Sequence, residues 1–381
     1  MKKICFVTTI SSTINAFIME LAKELHKTGE FQITFICDYD EKFEKQLPDY
    51  FKYYPVQMRR GVNLDGIKAI RDIYRIIKKE KFDLVQYSTP NASCYTSIAA
   101  WLANVKVRLY CQWGIVYVGF TGVKRTIFKC IEKMVCSLST HIEPDSHSNL
   151  KFSIEEKLYN NKKGHVVWNG SASGVNLNKF DFDKKEEYKK NIREKYMLTE
   201  DSFLYGFVGR ITRDKGINEL LEAFKVINNE DPNAYLLLVG SEDNVATLNQ
   251  DLYAWSKECK NVIYCGFTNV VEQYMAAVDC YVLPSYREGF GLGVVEAEAM
   301  GTPVIVSNIP GPIDAMISDV TGLVVDKKDA KSLENAMRTM KNDETLRNKL
   351  SLECGDFAKN NFEQKKLFEQ IYLDRKSLLG E

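Results

Sequence analysis

With 381 residues, 45% hydrophobic and 27% charged, the chain has the length of two domains and the composition of a globular protein with full cores, not of a disordered one. No stretch approaches the roughly 20 apolar residues that span a bilayer, and the apolar run near the start covers only residues 4–7, which reads as a strand and not as an export signal. Formal net charge is zero but uneven: residues 1–180 carry +9, the remainder −9, and residues 52–133 hold 15 basic against 5 acidic residues, which suits an anionic partner such as a membrane surface.

In chain order, KKICFVTT reads as a strand, 14–27 as a helix and FQITFICDYD as a second strand. A helix over 67–79, the strand FDLVQYS, a helix over 92–102 and the strand VRLYC follow; HVVWNG closes the half. This alternation predicts a parallel, doubly wound sheet. A lysine-rich stretch, 178–195, breaks the pattern and reads as a linker running into a surface helix. The alternation then restarts with FLYGFVGR, a helix from Gly216, AYLLLVGS, a helix to Cys259, NVIYCGF, a helix over 270–277, CYVLPS, PVIVS and GLVVD. The fold class is therefore α/β, with two Rossmann-like domains, 1–180 and 196–360, facing a cleft; the terminal helix, 361–381, packs back on the first. In such sheets ligands bind beyond the carboxyl ends of the strands.

Ten cysteines without a CxxC pair, several inside strand-like runs, read as reduced and buried. Asp38-Tyr39-Asp40 and Asp181-Phe182-Asp183 match the D-x-D of metal-dependent transferases, but three-residue matches arise easily by chance, and no metal is expected.

Two segments carry chemistry. Gly209-Arg210 ends one strand, and Asp214-Lys215-Gly216 opens the next helix. Two cations beside helix N-terminal amides neutralise a diphosphate without a metal, although a surface turn with solvated charges has the same spacing. At the end of CYVLPS comes Glu288-Gly289-Phe290-Gly291-Leu292-Gly293, with Glu296 expected in the first turn of the following helix. Alternate glycines let the backbone approach a ligand and present its N–H groups, and a carboxylate grips a vicinal diol with both oxygens.

GRITRDKG and LPSYREGFGLGVVEAEAMGTPVIVS, with the pair Glu288/Glu296, resemble the donor half of retaining family 4 (group 1) glycosyltransferases of the GT-B fold. Upstream, PVQMRRGVNLDGIKAIRDIYRIIKKEKFDLVQYSTPNAS, VRLYCQWGIVYVGFTGVKR and VVWNGSASGVNLNKF resemble the branch that builds bacterial capsules and exopolysaccharides. The resemblance implies that Arg210 and Lys215 bind the donor pyrophosphate and, with Glu288 at the donor sugar, form the catalytic group. It implies donor contacts from Gly209, Gly289, Phe290, Gly291 and Leu292, ribose contacts from Glu296 and a place near the base for Phe267. The loop 9–13, with Ser11 and Ser12, would close over the phosphates and form the acceptor side with Trp113 and Gly114.

The family's loop histidine is matched here by Trp113, and its histidines at the preceding strand end by Gln86 and Ser88, so His26, His141, His147 and His165 read as core or surface residues. Lys124-Arg125 and Arg59-Arg60 are candidate contacts for a lipid diphosphate, or solvated pairs. The implied function is transfer of a hexose or N-acetylhexosamine from a nucleotide-diphosphate sugar, UDP-linked, to a glycan or polyprenyl-diphosphate-linked acceptor. No cofactor, metal or nucleic acid takes part, and the location is cytoplasmic, peripheral at the inner face of the plasma membrane. The alternatives are a nucleotide-sugar epimerase of similar architecture and a catalytically degenerate partner subunit.

Overall fold

The computed structural model describes residues 1–58 and 64–381; the pair Arg59-Arg60 lies outside them. In chain order the elements are β1 (Lys2–Val7), α1 (Ser11–Phe17), α2 (Met19–Lys27), β2 (Phe31–Cys37), α3 (Glu41–Gln46), β3 (Lys52–Pro55), α4 (Leu64–Glu80), β4 (Leu84–Tyr87), α5 (Pro90–Leu102), β5 (Val107–Gln112), α6 (Gly122–Leu138), β6 (His141–Pro144) and α7 (His147–Glu155). They continue as α8 (Lys185–Lys195), β7 (Phe203–Val208), α9 (Ile217–Glu230), β8 (Ala234–Val239), α10 (Gln250–Glu258), β9 (Val262–Gly266), α11 (Val271–Ala277), β10 (Cys280–Leu283), α12 (Leu292–Ala299), β11 (Val304–Ser307), β12 (Gly322–Val325), α13 (Ala330–Asn342), α14 (Glu344–Phe362) and α15 (Gln364–Leu379). The chain divides into two compact units, Met1–Ser173 with Lys365–Glu381, and Gly174–Gln364.

Each unit holds one parallel sheet of six strands, ordered β3-β2-β1-β4-β5-β6 in the first and β12-β11-β10-β7-β8-β9 in the second. The two orders are the same doubly wound topology. Both reverse direction beside the unit's first strand, between β1 and β4 and between β7 and β10. Strands covered on both faces need apolar residues at every position, so they read as continuous runs. In β1, Ile4 and Phe6 join the core on one face while Cys5 and Val7 join the core on the other.

The helix α15 completes the first unit. Its Leu367, Phe368, Ile371 and Leu379 pack with Ile4, Phe6, Phe31 and Leu109 on one face of the sheet. Arg375 is 1% exposed; its guanidinium donates to both oxygens of Glu143 at 2.5 and 3.1 Å, to Gln86 Oε1 at 3.1 and 3.3 Å, and to Asp374. Asp374 also faces His165 Nε2 at 2.9 Å. Glu143, His165 and Asp374 converge closely enough to hold a cation, but Arg375 already supplies the positive charge among them. All ten cysteines are free thiols, six of them buried.

Four expectations change. HVVWNG is not a strand: Gly164 makes one bridge to Ile142, and the backbone at Trp168, Gly170 and Ser171 turns to positive φ, which no ladder accommodates. The stretch 178–195 is not a linker, because it lies inside the second unit and α8 buries Ile192 and Arg193. Arg193 donates to the carbonyls of Thr199 and Ser202 and to Asp279. The segment 9–13 is not a loop throughout, since the chain is helical from Ser11. Finally, the helix expected over 14–27 breaks at Ile18 into α1 and α2.

Removing Arg375 leaves Glu143 without a cation and Asp374 with only His165, and breaking a buried ion pair costs about 3–5 kcal/mol in comparable networks. Arg375→Ala is therefore expected to lower the urea midpoint of the first unit by that equivalent. A loss below about 1 kcal/mol would show that the network is dispensable.

Candidate functional site

In each doubly wound sheet the crevice opens where the strand order reverses, at the carboxyl ends of the two strands that flank the reversal. In the second unit these are β7 and β10. After β7 the chain passes Gly209-Arg210 and makes a short turn over Arg213–Lys215, then enters α9 through Gly216 at φ 73°. A Cβ on Gly216 would overlap the carbonyl oxygen of Pro284, so only glycine lets this turn lie against the turn after β10. Tyr286 N donates to Asp214 O at 2.9 Å, and the Arg287 guanidinium meets the Asp214 carboxylate at 3.0 Å. Burial raises the Asp214 pKa, but the Thr212 hydroxyl and Arg287 outweigh burial and hold it below its ordinary value.

This contact delivers Lys215 to Glu288. The ammonium donates to Glu288 Oε1 at 2.6 Å, and the buried Ser285 hydroxyl donates to the same oxygen at 2.7 Å. Arg210 is held by Asp243 from the loop after β8, at 2.9 Å. Both cations thus stand at the switch point with a carboxylate partner each, and the Lys215 pair is mostly shielded from water.

The loop after β10 is carried by Gly311 at φ 100°, where a Cβ would overlap the carbonyl oxygen of Gly289. Glycine at 311 therefore sets how close Gly289 lies to its support. Gly291 is the left-handed residue from which α12 starts. The helix begins at Leu292, so Glu296 falls in its second turn, not the expected first. Gly293 lies within α12 against the Tyr281 hydroxyl and makes room for the ring below. Burial pushes Glu296 up to about 7, opposed by Lys179 and reinforced by Glu272. Burial beside Glu288 and Glu296 also raises Tyr281.

The structure brings Gly209, Arg210, Lys215, Glu288 and Gly289 to one switch point. Phe290 turns its ring inward against Phe362 at 5.2 Å, so only its backbone faces the loop, and Leu292 packs on the core. Phe267 follows β9 and is 76% exposed. Asp243 and Ser285, the partners of the two switch-point groups, went unnoticed in the sequence; Ser285 had a signal in its position at a strand end, and Asp243 had none.

In the first unit, the residues beyond β1, β4 and β5 include Ser11, Ser12, Trp113 and Gly114. Ser11 donates to Asp40 at 2.5 Å, and Ser12 is exposed. Asp40 in turn accepts from Lys42 N and Phe43 N, capping α3, while Asp38 accepts from Met58 N. Asp181 caps a turn through Asp183 N. The carboxylates of Asp38, Asp40 and Asp181 are thus engaged with backbone amides. Trp113 packs against Phe17, the ring centroids 5.5 Å apart and the planes tilted by 47°, and Gly114 follows at φ 95°.

Two doubly wound units of one topology, with paired cations at the second unit's switch point, are the architecture of the GT-B transferases. Residues 188–354 match the family described as glycosyl transferases group 1, and residues 3–146 the one described as glycosyl transferase 4-like. The chain belongs to the group 1 glycosyltransferases and is an enzyme of that class. It is similar to the capsular polysaccharide biosynthesis glycosyltransferase CapM of Staphylococcus aureus, 30% identical over 83% of this chain and 82% of that one. It also resembles an Escherichia coli UDP-Gal:alpha-D-GlcNAc-diphosphoundecaprenol alpha-1,3-galactosyltransferase, 27% identical over 92% and 91%. In fold it resembles Anabaena Alr3699/HepE, solved with UDP-glucose, at a TM-score of 0.79 and 17% identity over 99% and 100% of the two chains.

Proposed function

We propose that this enzyme transfers a hexose or N-acetylhexosamine from a UDP-sugar to a lipid-linked glycan, with retention at the anomeric carbon, in capsular, exopolysaccharide or O-antigen synthesis. The observation that carries the donor assignment is the pair Arg210 and Lys215, each tethered by a carboxylate at the β7/β10 switch point. An arriving diphosphate takes Lys215 from Glu288 and Arg210 from Asp243, and so replaces two ion pairs by two others. Glu288, released from Lys215, then accepts from hydroxyls of the donor sugar, and Glu296 from those of the ribose. Phe267, exposed beyond β9, offers a face to the base. The relatives' capsular and diphosphoundecaprenol-linked roles support this acceptor class.

Transfer breaks the bond between the anomeric carbon and the β-phosphate oxygen and forms a bond to the acceptor oxygen on the same face. The departing β-phosphate takes the acceptor's proton. Arg210 and Lys215 stabilise the charge that develops on the diphosphate, where preorganised donors are worth most. Arg210→Ala and Lys215→Ala are each expected to lower kcat on the order of 10²-fold and to weaken UDP in calorimetry, with turnover unaffected by EDTA. Unchanged turnover in both variants, or its loss with the chelator, would overturn the reading.

Glu296 adds a pH dependence. Only its carboxylate form accepts from two ribose hydroxyls, and burial places its titration at about 7. Protonation below that pH removes an acceptor, so UDP affinity is expected to fall as the pH drops below 7, by up to about tenfold per unit. Glu296→Gln should lack this limb while the phosphate's own titration remains; an identical profile in the variant would exclude Glu296.

The reading extends to an anionic bilayer at the cytoplasmic face, with the enzyme peripheral to it. No described helix is long and apolar enough to cross a membrane. Helix α6 buries Glu132, Val135 and Cys136 on one side, yet on the opposite side aligns Val123, Ile127 and Cys130 in the open, the first two 76% and 52% exposed. Lys124 and Lys133 flank this stripe, within the region of net charge +10. Apolar residues edged by lysines suit an anionic lipid surface, where each basic residue near the headgroups contributes about 1 kcal/mol. Flotation should recover the protein with phosphatidylglycerol vesicles at low salt and not with phosphatidylcholine. Val123→Asp with Ile127→Asp should abolish recovery; equal recovery on neutral vesicles, or a dimer in sedimentation that the variants disrupt, would sink the assignment.

A further inference from the structure

The switch point of the first unit lies between β1 and β4, and one residue there is held against its own backbone preference. Thr89 leaves β4 at φ 68° and ψ 145°, a region essentially reserved for glycine. It is β-branched and precedes Pro90, both of which favour negative φ. A threonine at the start of a helix ordinarily sits in the extended region and caps the first amides with its hydroxyl. Thr89 occupies that position before α5 and makes no such bond.

Its side chain is used elsewhere. Thr89 Oγ1 accepts from Thr9 N at 3.0 Å and shares a hydrogen bond with Thr9 Oγ1 at 2.8 Å. It thereby ties the loop after β1 to the end of β4, 80 residues later in the chain. The loop is fixed from its other sides as well: Thr9 O accepts from Asp38 N, Thr8 Oγ1 donates to Ile10 O, and Ser11 is bound to Asp40. Beside the clip stands Ser88, 1% exposed, whose hydroxyl has no partner among the described residues. Strain that the surroundings impose on a single residue at a switch point is typical of functional sites.

We infer that Thr89 is a positioning residue for the acceptor: its strained clip sets the loop Thr8–Ser11 in the conformation that receives a polyhydroxylated acceptor. This rests on the reading above that this end of the first unit is the acceptor side. The clip gives substitutions opposite signs on stability and function. Thr89→Gly removes the side chain and also relieves the backbone, Thr89→Val removes the hydroxyl and keeps the strain, and Thr89→Ser keeps the hydroxyl.

The experiment measures melting temperature, KM for donor and acceptor, and UDP binding for the four proteins, with membranes as the acceptor source. Thr89→Gly is expected to melt no lower than the parent and yet to raise the acceptor KM about five- to tenfold, the loss of one or two hydrogen bonds. Its UDP affinity falls less than its acceptor KM rises, because Arg210, Lys215 and Glu288 lie in the other unit. Thr89→Val should show the same kinetic loss with a lower melting temperature, and Thr89→Ser should restore the acceptor KM to within about twofold. The inference is overturned by an unchanged acceptor KM in Thr89→Gly, or by a fall in melting temperature that accompanies equal losses for both substrates. A parent protein that binds UDP but transfers to no acceptor would instead remove the acceptor reading, and the inference with it.

Discussion

The meeting of two turns governs the second unit of this enzyme. The turn after β7 lies against the turn after β10 because residue 216 has no side chain to keep them apart. From that contact follow the Asp214 links to Tyr286 and Arg287, and the delivery of Lys215 to Glu288. The same arrangement answers an electrostatic difficulty. If the two cations receive a phosphate as proposed, the carboxylate beside each offsets their mutual repulsion until it arrives. The carboxylates also weaken the phosphate's grip, since the ligand must displace them. A site arranged in this way releases its product nucleotide more readily than one with unopposed charge.

The two units share a topology but use it differently. In the second, the switch point holds ion pairs; in the first, it holds the hydroxyls of Thr8, Thr9, Ser88 and Thr89, mostly bonded within the loop or buried. The proposed roles, a polyanionic leaving group at one and a neutral polyol at the other, ask for that difference. The strained Thr89 and the left-handed Gly216 occupy comparable places, each at the reversal of its sheet, and each brings together loops that are distant in sequence.

The sheets were readable because strands buried on both faces are written as uninterrupted apolar runs, so β1, β2, β4, β5 and the strands of the second unit stand out. The edge strand β3, KYYP, and the helix α3, EKFEKQ, lack that signal, since neither is apolar along its length. HVVWNG carries the composition of a strand, and only its positive-φ residues reveal otherwise. The stretch 178–195 does run into a surface helix, but its charge reads as a linker, while Arg193 bonds the carbonyls of Thr199 and Ser202 within the second unit. Of the site, Arg210, Lys215 and Glu288 were visible through their spacing around glycines. Asp243 was not, because a lone aspartate in a loop carries no periodicity. The inward turn of Phe290 depends on Phe362, 72 residues away, and nothing in the glycine-rich loop announces it.

The return of α15 has a consequence for biosynthesis. Residues 174–364 fold as one unit in the middle of the chain, while the part of one face of the first unit that α15 covers stays open until 364–379 have left the ribosome. Ile4, Phe6 and Phe31 wait through the translation of an entire domain before Leu367, Phe368 and Ile371 shield them. Glu143 likewise stands at the sheet without its cation until Arg375 arrives. The order of synthesis therefore completes the second unit first and makes the other dependent on a segment made nearly last, so a message truncated before that helix yields a nascent chain open to chaperones and proteases.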